Sequence, residues 1–388
     1  MLGTLTALGP FTIDMYLPAF PAIETGFGVD PAMVQLTLTG TTVGFAAGQL
    51  IVGPLSDRVG RKVPLVVAAV LHIAASVAAA LAPTILMLGI FRVLQGFGAA
   101  ASGVVSMAMV RDLFAGRHLI KMMSRLALVN GLAPVIAPVV GSQLLSIMDW
   151  RGIFWVLAGY GAFVSAAVAI FVKETLPKDV RSTDTRSLRS RYQVLFKDRT
   201  YLGMVAMAGL NFTALFAYLS ASPFLFQQTF GMSEQQYGFT FATNSIAVII
   251  GVQTVSQLIH RGILAPQWVL AFTTVTQVVL GTLIFVLSAA GAGMWGTLIP
   301  LWFFIMMCGF TFPTVQYLAL ADHGAEAGTA ASLLGAVNFG MAGALSPIIG
   351  VLGVDSARPM AGMMAVAAAT SALVLWTVVR PKTLPASI

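Results

Sequence analysis

Two charged side chains lie inside long apolar stretches of this 388-residue chain, Asp14 and Arg92. Arg92 separates the charge-free ranges 63–91 and 93–110, and Asp14 is the only charged residue among the first 23. An ionisable group in lipid is costly and usually faces a partner or a water-filled cavity. A carboxyl group that binds and releases a proton near a fixed cation is suited to proton coupling. In the alternative interpretation, Arg92 only holds backbone carbonyl groups together.

The composition places these two residues in a membrane protein. Hydrophobic residues make up 58% of the chain and charged residues only 9%, with a mean hydropathy of +0.89. A typical soluble domain has about 25% charged residues. A water-soluble enzyme and a disordered chain are therefore poor fits. The net charge of +7 does not indicate nucleic-acid binding, because the basic residues follow the loops.

Long charge-free ranges predict the membrane spans. A span needs about 20 apolar residues, so most of these ranges hold one helix each, and 262–321 holds two. With the opening segment, we expect an all-α integral membrane protein of about twelve transmembrane helices, because open sheets cannot span lipid. The ranges are 31–56, 63–91, 93–110, 126–148, 152–172, 200–233, 235–260, 262–321, 327–354 and 359–379.

The positions of the basic residues predict the orientation. Eighteen of the 21 Lys and Arg residues fall in loops on one side and two on the other, which by the positive-inside rule places both termini in the cytoplasm. Eight of the eighteen lie within 173–199. We therefore expect an N-terminal six-helix half (1–173), a cytoplasmic basic linker (174–199) and a C-terminal six-helix half (200–388). A regulatory or lipid-binding role for the linker is the alternative.

Short internal repeats support this division. The motif Pro138-Val-Val-Gly141 recurs as Pro347-Ile-Ile-Gly350, and Tyr16-Leu17 recurs as Tyr218-Leu219 at a similar offset. Six spans in each half make the repeats parallel, with a pseudo-two-fold axis along the membrane normal. Such transporters bind their substrate near the middle of the membrane between the halves.

A glycine-rich basic turn carries the strongest resemblance to a known family. Residues 53–62, GPLSDRVGRK, resemble the G-x-L-x-D-R-x-G-R-K signature of the major facilitator superfamily. This resemblance implies the major facilitator fold, with Asp57 near the start of helix eleven at Gly328 as a conformational latch. The bases can pair with carboxylates such as Asp112. The expected gating residues of this turn are Gly53, Asp57, Arg58, Gly60, Arg61 and Lys62.

Further motifs narrow the resemblance to drug exporters. The stretch from Arg92 to Ala100 resembles the superfamily's fourth-helix motif. Asn130-Gly131-Leu-Ala-Pro134-Val-Ile-Ala-Pro138-Val-Val-Gly141 resembles the antiporter motif, although Ala133-Pro134 replaces its Gly-Pro pair. The family implies that its glycines pack against helix eight, so Gly131, Pro134, Pro138 and Gly141 are expected to act in gating. The segments 13–21 and 173–177 are similar to the Bcr/CflA group.

The resemblance implies a function. A Bcr/CflA-type protein is a proton-coupled antiporter that exports small amphipathic antibiotics, such as bicyclomycin- or chloramphenicol-type compounds, across the bacterial inner membrane. It acts by alternating access, as a monomer and without a cofactor. Asp14 would carry the proton and Arg92 would bias its charge. The expected partners are drugs, protons and lipid, not nucleic acid. The absence of a P-loop in the sequence disfavours ATP as the driving force.

Aromatic and amide side chains are the candidates for substrate contact. Aromatic rings with a few amides suit an amphipathic drug, although each ring could equally pack helices or face lipid. The candidates are Tyr16, Asn130, Asn211, Phe212, Phe216, Tyr218 and Asn338. Two alternative functions stay open: proton-coupled transport of a metabolite or sugar on the same fold, and a non-transporting membrane sensor.

Overall fold

The computed structural model describes residues 2–177, 188–323 and 327–383, and within these ranges the chain is helical without strands. The α-helices in chain order are α1 (Leu2–Asp14), α2 (Phe20–Phe27), α3 (Pro31–Val59), α4 (Lys62–Ala80), α5 (Ile85–Leu113), α6 (Gly116–Leu145), α7 (Trp150–Phe171), α8 (Leu188–Lys197), α9 (Arg199–Phe224), α10 (Glu234–His260), α11 (Pro266–Ala289), α12 (Gly293–Leu320), α13 (Ala327–Leu345), α14 (Pro347–Leu352) and α15 (Arg358–Val374).

Eleven helical segments of the described chain are long and apolar enough to cross a membrane. They include α3 to α7 and α9 to α12, together with 328–352, which joins α13 to α14, and 358–379, which extends α15. Many large side chains on these helices are exposed, among them Phe163, Ile170 and Val351, each more than 70% accessible. Such apolar surfaces match the lipid contact that the composition predicts.

The opening segment, predicted as one span, is interrupted. Helix α1 ends at Asp14, a short 3₁₀ turn covers Leu17–Ala19, and α2 begins at Phe20. Pro18 and Pro21 explain the interruption, because proline lacks the backbone N–H that a continuous helix needs. In membrane transporters, interrupted helices commonly form the substrate and ion sites.

The chain divides into two compact units. The first contains residues 1–185 and 233–242, and the second contains 186–232 and 243–388. Part of the predicted linker, 178–187, lies outside the described residues. The predicted half boundaries at 173 and 199 stay a prediction.

Glycines bring helix backbones together inside the first unit. A Cβ atom at Gly44 of α3 would overlap the carbonyl of Val93 in α5, and one at Gly96 of α5 would overlap the carbonyl of Thr41. On the other side of α5, a Cβ at Gly98 would crowd Ala68 of α4. Helix α5, which carries Arg92, is therefore fixed between two neighbours by backbone contact.

In the second unit, glycines likewise bring the backbones of α10 and α12 together. A Cβ at Gly251 of α10 would overlap the carbonyl of Met306, and one at Gly309 of α12 would overlap the carbonyl of Val248. In both units the paired helices are the second and fourth spans of the predicted half. This shared packing agrees with the internal repeat in the sequence.

Candidate functional site

Asp14 lies at the last position of α1, directly before the interruption. The residue is only 6% exposed to solvent, and its carboxylate has no hydrogen bond or ion pair among the described residues. A buried carboxyl without a partner is costly in the charged form. Asp14 therefore has the environment of a group that gains or loses a proton when its surroundings change.

Arg92 is completely buried on α5, and aromatic rings surround its charge. The guanidinium carbon lies 4.4 Å from the centre of the Tyr16 ring and 5.7 Å from that of Phe154. Nη1 donates a 2.5 Å hydrogen bond to Oε1 of Gln95. The Nε and Nη2 atoms have no hydrogen-bond partner among the described residues. Cation–π contacts thus replace an ion pair with Asp14, which Arg92 does not form.

A chain of polar side chains leads from Arg92 back to α1. Gln95 donates to the hydroxyl of Ser76 (2.7 Å), which donates to the backbone carbonyl of His72 (2.7 Å). The Nε2 atom of His72 lies 2.9 Å from the hydroxyl of Thr12, two residues before Asp14. The sequence analysis missed this network. Gln95, three residues after Arg92 on the same helix face, was the available signal.

Of the two substrate candidates in the first unit, Tyr16 is packed against neighbouring side chains. The Tyr16 hydroxyl is 2.6 Å from the hydroxyl of Thr37, and its ring packs on Phe154 and Phe20. Tyr16 therefore holds Arg92 and the interrupted segment together. Asn130 is half-buried on α6.

The candidates of the second unit form an aromatic cluster beside a cavity. The ring of Phe212 lies 4.9 Å from both Phe216 and Phe339 and 5.9 Å from Phe312, measured between ring centres. Phe212 and Phe216 belong to α9, Phe312 to α12 and Phe339 to α13. The predicted Phe212 and Phe216 thus lie together with two phenylalanines that the sequence analysis did not name.

Amide side chains occupy the interior of the same unit. The Asn211 carbonyl oxygen accepts a 2.8 Å hydrogen bond from Gln277 of α11, and Asn338 lines the cavity together with Asn211. Tyr218 accepts a 3.0 Å hydrogen bond from Asn244 of α10. Asn211, Phe212, Phe216 and Asn338 therefore lie together, whereas Tyr218 is engaged with α10.

The turn between α3 and α4 is organised around Arg61. Its Nη1 donates to Asp57 and to Ser56, and its Nε donates to Asp112 at the end of α5 (2.9 Å). Burial disfavours its charge, but the hydrogen bonds to Asp112 and Asp57 outweigh burial and raise the pKa of Arg61. The structure thus brings together Arg61 and Asp112. The expected approach of Asp57 to Gly328 stays a prediction.

The other residues of the turn have distinct positions. Gly60 has φ of 106°, a backbone conformation that glycine adopts without strain. The ammonium group of Lys62 donates to the carbonyl of Ala169 (3.1 Å). Arg58 is exposed and Gly53 is half-buried.

We expect Arg61→Met to destabilise the protein, because it leaves Asp57 and Asp112 without their shared cation. The loss should be about 1–3 kcal/mol, the usual cost of a partly buried polar group that loses its partner. The apparent melting temperature of detergent-purified protein measures this effect. Arg58→Met, an exposed change in the same turn, is the control and should leave the melting temperature unchanged. Equal effects of the two substitutions would contradict the role of Arg61.

Glu174 has a structural role that the sequence analysis did not predict. Its carboxylate accepts the backbone N–H groups of Arg61 (2.8 Å) and Lys62 (3.1 Å) at the start of α4, and those of Thr175 and Leu176 (3.0 Å each). No side chain of α4 itself caps this end. A distant carboxylate therefore caps the helix and ties the segment after α7 to the turn.

The cap makes the stability of the protein sensitive to acid. Partial burial raises the pKa of Glu174, but the backbone N–H donors outweigh it and the net pKa is lowered from 4.5. The stabilisation is therefore present above about pH 4.5 and is lost as the pH falls through the lowered value. We expect Glu174→Gln to lower the melting temperature by about 1–3 °C at pH 7, with the difference from wild type shrinking below pH 4.5. Asp355→Asn, in an exposed loop, should show neither effect.

The proline-rich segment of α6 packs on the interruption of the first helix. A Cβ at Gly141 would overlap the carbonyl of Met15. This glycine therefore lies against the interruption of the first helix, and its expected packing against helix eight stays a prediction. Helix eight, α10, supplies its own glycine, and a Cβ at Gly238 would meet Pro138 and Ser142. Gly131 and Pro134 are half-buried within α6.

The helical membrane-spanning fold agrees with the comparisons with known proteins. The sequence profile of the Major Facilitator Superfamily matches residues 2–350. The chain belongs to this superfamily. A Major Facilitator Superfamily protein of Bacillus subtilis, "Uncharacterized MFS-type transporter YdgK", is 35% identical over 96% of this chain and 93% of its own length. The family identifies a multi-pass membrane transporter rather than an enzyme.

Several relatives in the superfamily have names that refer to drug resistance. The "Bicyclomycin resistance protein homolog" of Haemophilus influenzae is 32% identical over 92% of this chain and 90% of its own length. "Multidrug resistance protein MdtL" of Shewanella oneidensis is 28% identical over 95% of this chain and 92% of its own length.

Solved structures confirm the major facilitator fold. A crystal structure of a D-xylose-proton symporter matches with a TM-score of 0.75 at 15% identity, covering 99% of this chain and 98% of the other. A bacterial homologue of the human lysosomal transporter Spinster matches with a TM-score of 0.73 at 13% identity, covering 99% and 97%. At this identity the likeness concerns the fold alone.

Proposed function

We propose that this transporter exports small amphipathic drugs in exchange for protons across the bacterial inner membrane. The observation that carries the proposal is the burial of the Asp14 carboxyl at the interruption of the first helix, where no residue of the described part of the chain pairs with it. The relatives named for bicyclomycin and multidrug resistance support the choice of cargo.

The proposed exchange uses the environment of Asp14 in two states. When the site opens to the side rich in protons, Asp14 binds a proton and its buried charge disappears. When the site opens to the cytoplasm, Asp14 releases the proton to water. Because only the protonated, uncharged form of Asp14 is stable in a site without water, protonation biases which conformation is populated. In the proposed mechanism this bias acts on alternating access of the two six-helix halves.

Arg92 contributes a fixed positive charge near the interrupted segment. Tyr16, whose ring contacts the guanidinium, lies two residues after Asp14, so movement of the interrupted segment changes the distance between the two charges. The Nε and Nη2 donors of Arg92 have no partner among the described residues. They are available to the Asp14 carboxylate in another conformation. Arg92 thereby favours release of the proton.

Expression in a bacterial host that lacks its own drug exporters tests the proposal. We expect increased resistance to uncharged amphipathic antibiotics, measured as the minimum inhibitory concentration against a panel of compounds. In inverted membrane vesicles, an imposed proton gradient should drive uptake of the same drugs. No resistance together with gradient-driven uptake of sugars instead of drugs would contradict export and favour a metabolite transporter.

A further inference from the structure

Uncharged side chains line a partly open cavity of about 220 Å³ within the second unit. Residues of α9, α12 and α13 line it, including Asn211, Thr311, Phe312, Gln316 and Asn338. None of its lining residues, all of them described, carries a formal charge. A charged ligand group would lose its water there without a counter-ion, which costs far more than burying an uncharged one.

Two polar atoms at this cavity have no hydrogen-bond partner within the described part of the chain. They are Nδ2 of Asn211, a donor, and Oδ1 of Asn338, an acceptor, and both atoms are buried. The Asn211 residue is only 4% exposed. Buried polar groups in proteins nearly always have partners, so an orphan donor and an orphan acceptor at one cavity call for an explanation.

Neighbouring contacts fix the direction of the Asn211 amide. Its carbonyl oxygen accepts from Gln277, whose Nε2 also lies 3.2 Å from the sulfur of Cys308. The NH₂ group of Asn211 is therefore the part left free. Helix α13 is held close, because a Cβ at Gly209 of α9 would meet Val337 and Met341. The donor and the acceptor are thus presented from two tightly packed helices.

The size of the cavity limits what it can hold. Pockets that enclose a whole drug-sized molecule have volumes of about 300–1,000 Å³, whereas a 150 Å³ cavity accepts benzene. A volume of about 220 Å³ therefore suits one ring or one polar group of a larger compound. Phe312, which lines the cavity and contacts Phe212, provides an aromatic wall for the apolar part.

We propose that this cavity is a subsite for an uncharged amide or lactam group of the transported compound. The Asn211 NH₂ donates to the amide carbonyl, and the Asn338 carbonyl accepts from the amide N–H. The aromatic ring or alkyl portion of the compound packs on Phe312. The proposal rests on the proposed function, since it names the chemical group by which the exported compound is recognised.

An isosteric pair of small molecules tests this recognition directly. N-methyl-2-phenylacetamide and methyl 2-phenylacetate have nearly the same shape and share the carbonyl, but only the amide has an N–H. Binding to the full chain in lipid nanodiscs is measured by ligand-observed NMR titration, with empty nanodiscs as the blank. We expect the amide to bind about tenfold tighter than the ester, the value of one buried hydrogen bond. Non-specific partitioning into lipid would favour the ester instead.

The variant Asn338→Leu removes the acceptor at similar volume. It should reduce amide binding about tenfold, to the level of the ester, and leave ester binding unchanged. Thr370→Val, on the exposed face of α15, is the control and should preserve the difference between amide and ester. If the leucine variant does not fold, Asn338→Ala replaces it, because alanine also lacks an acceptor. The difference between amide and ester binding to the wild-type protein tests the proposal in either case.

Three results would each overturn the subsite. The amide and the ester could bind with equal affinity, the Asn338 variant could preserve their difference in affinity, or neither compound could bind above the blank. Drug export by a protein that fails this test would leave the proposed function standing. Conversely, selective amide binding by a protein that transports no drug would overturn the proposed export and leave the subsite standing.

Discussion

Asp14→Asn should reduce proton-gradient-driven drug export to the level of protein-free liposomes. Asn matches Asp in shape but cannot exchange a proton, so the variant keeps the uncharged form of the site permanently. The interruption after α1 and the contacts of Tyr16 do not involve the Asp14 side chain, so the fold should be unaffected. The measurement is the initial rate of drug transport in proteoliposomes under an imposed pH gradient.

A second measurement separates loss of coupling from loss of binding. Exchange of labelled for unlabelled drug without a gradient requires alternating access but no net proton movement. We expect Asp14→Asn to retain this exchange and to lose its dependence on pH. Asp149→Asn, an exposed acidic residue before α7, is the matched control and should transport as wild type does. Full gradient-driven export by Asp14→Asn would exclude Asp14 as the proton carrier.

A large loss of stability is expected from Gly96→Ala. The added methyl group would overlap the backbone carbonyl of Thr41 in α3, and backbone cannot move aside as a side chain can. Overpacking of this kind typically costs about 1–3 kcal/mol or more. For a protein of this size we expect the apparent melting temperature to fall by about 1–4 °C, together with a lower yield of monodisperse protein.

The same helix offers a matched control for that substitution. A Cβ at Gly103, seven residues further along α5, would meet no other atom within 4 Å. Gly103→Ala should therefore leave the melting temperature unchanged or raise it slightly, because alanine favours the helix more than glycine does. If both alanine variants behave alike, the close packing of α5 on α3 does not contribute to stability as described.

The position of Arg92 shows why fold and charge environment must be considered together. Its burial on a transmembrane helix was predicted from the charge-free ranges on both sides. The aromatic rings that contact its guanidinium come from the interrupted first segment and from α7. These rings are far apart in sequence, so no local pattern could pair them with Arg92.

The turn at 53–62 shows a similar division. The spacing of its glycine and basic residues indicated the family, and the pairing of a base with Asp112 could be foreseen from their charges. The cap that Glu174 provides for α4 could not, because it depends on where the chain returns after α7. Likewise, the proline pair in 18–21 was a visible signal for the interruption, yet its contact with Gly141 required the packed helices.

The sequence by itself determined that this protein is a helical membrane transporter of the Major Facilitator Superfamily. Hydropathy, loop charge and the motif at 53–62 are local properties, and lipid allows few structures that satisfy them. Only the tertiary structure decided that Asp14 is buried with no partner among the described residues, that aromatic rings contact Arg92, and that Asn211 and Asn338 line one cavity. Each of these depends on side chains from distant helices, whose meeting is set by packing and not by neighbouring residues.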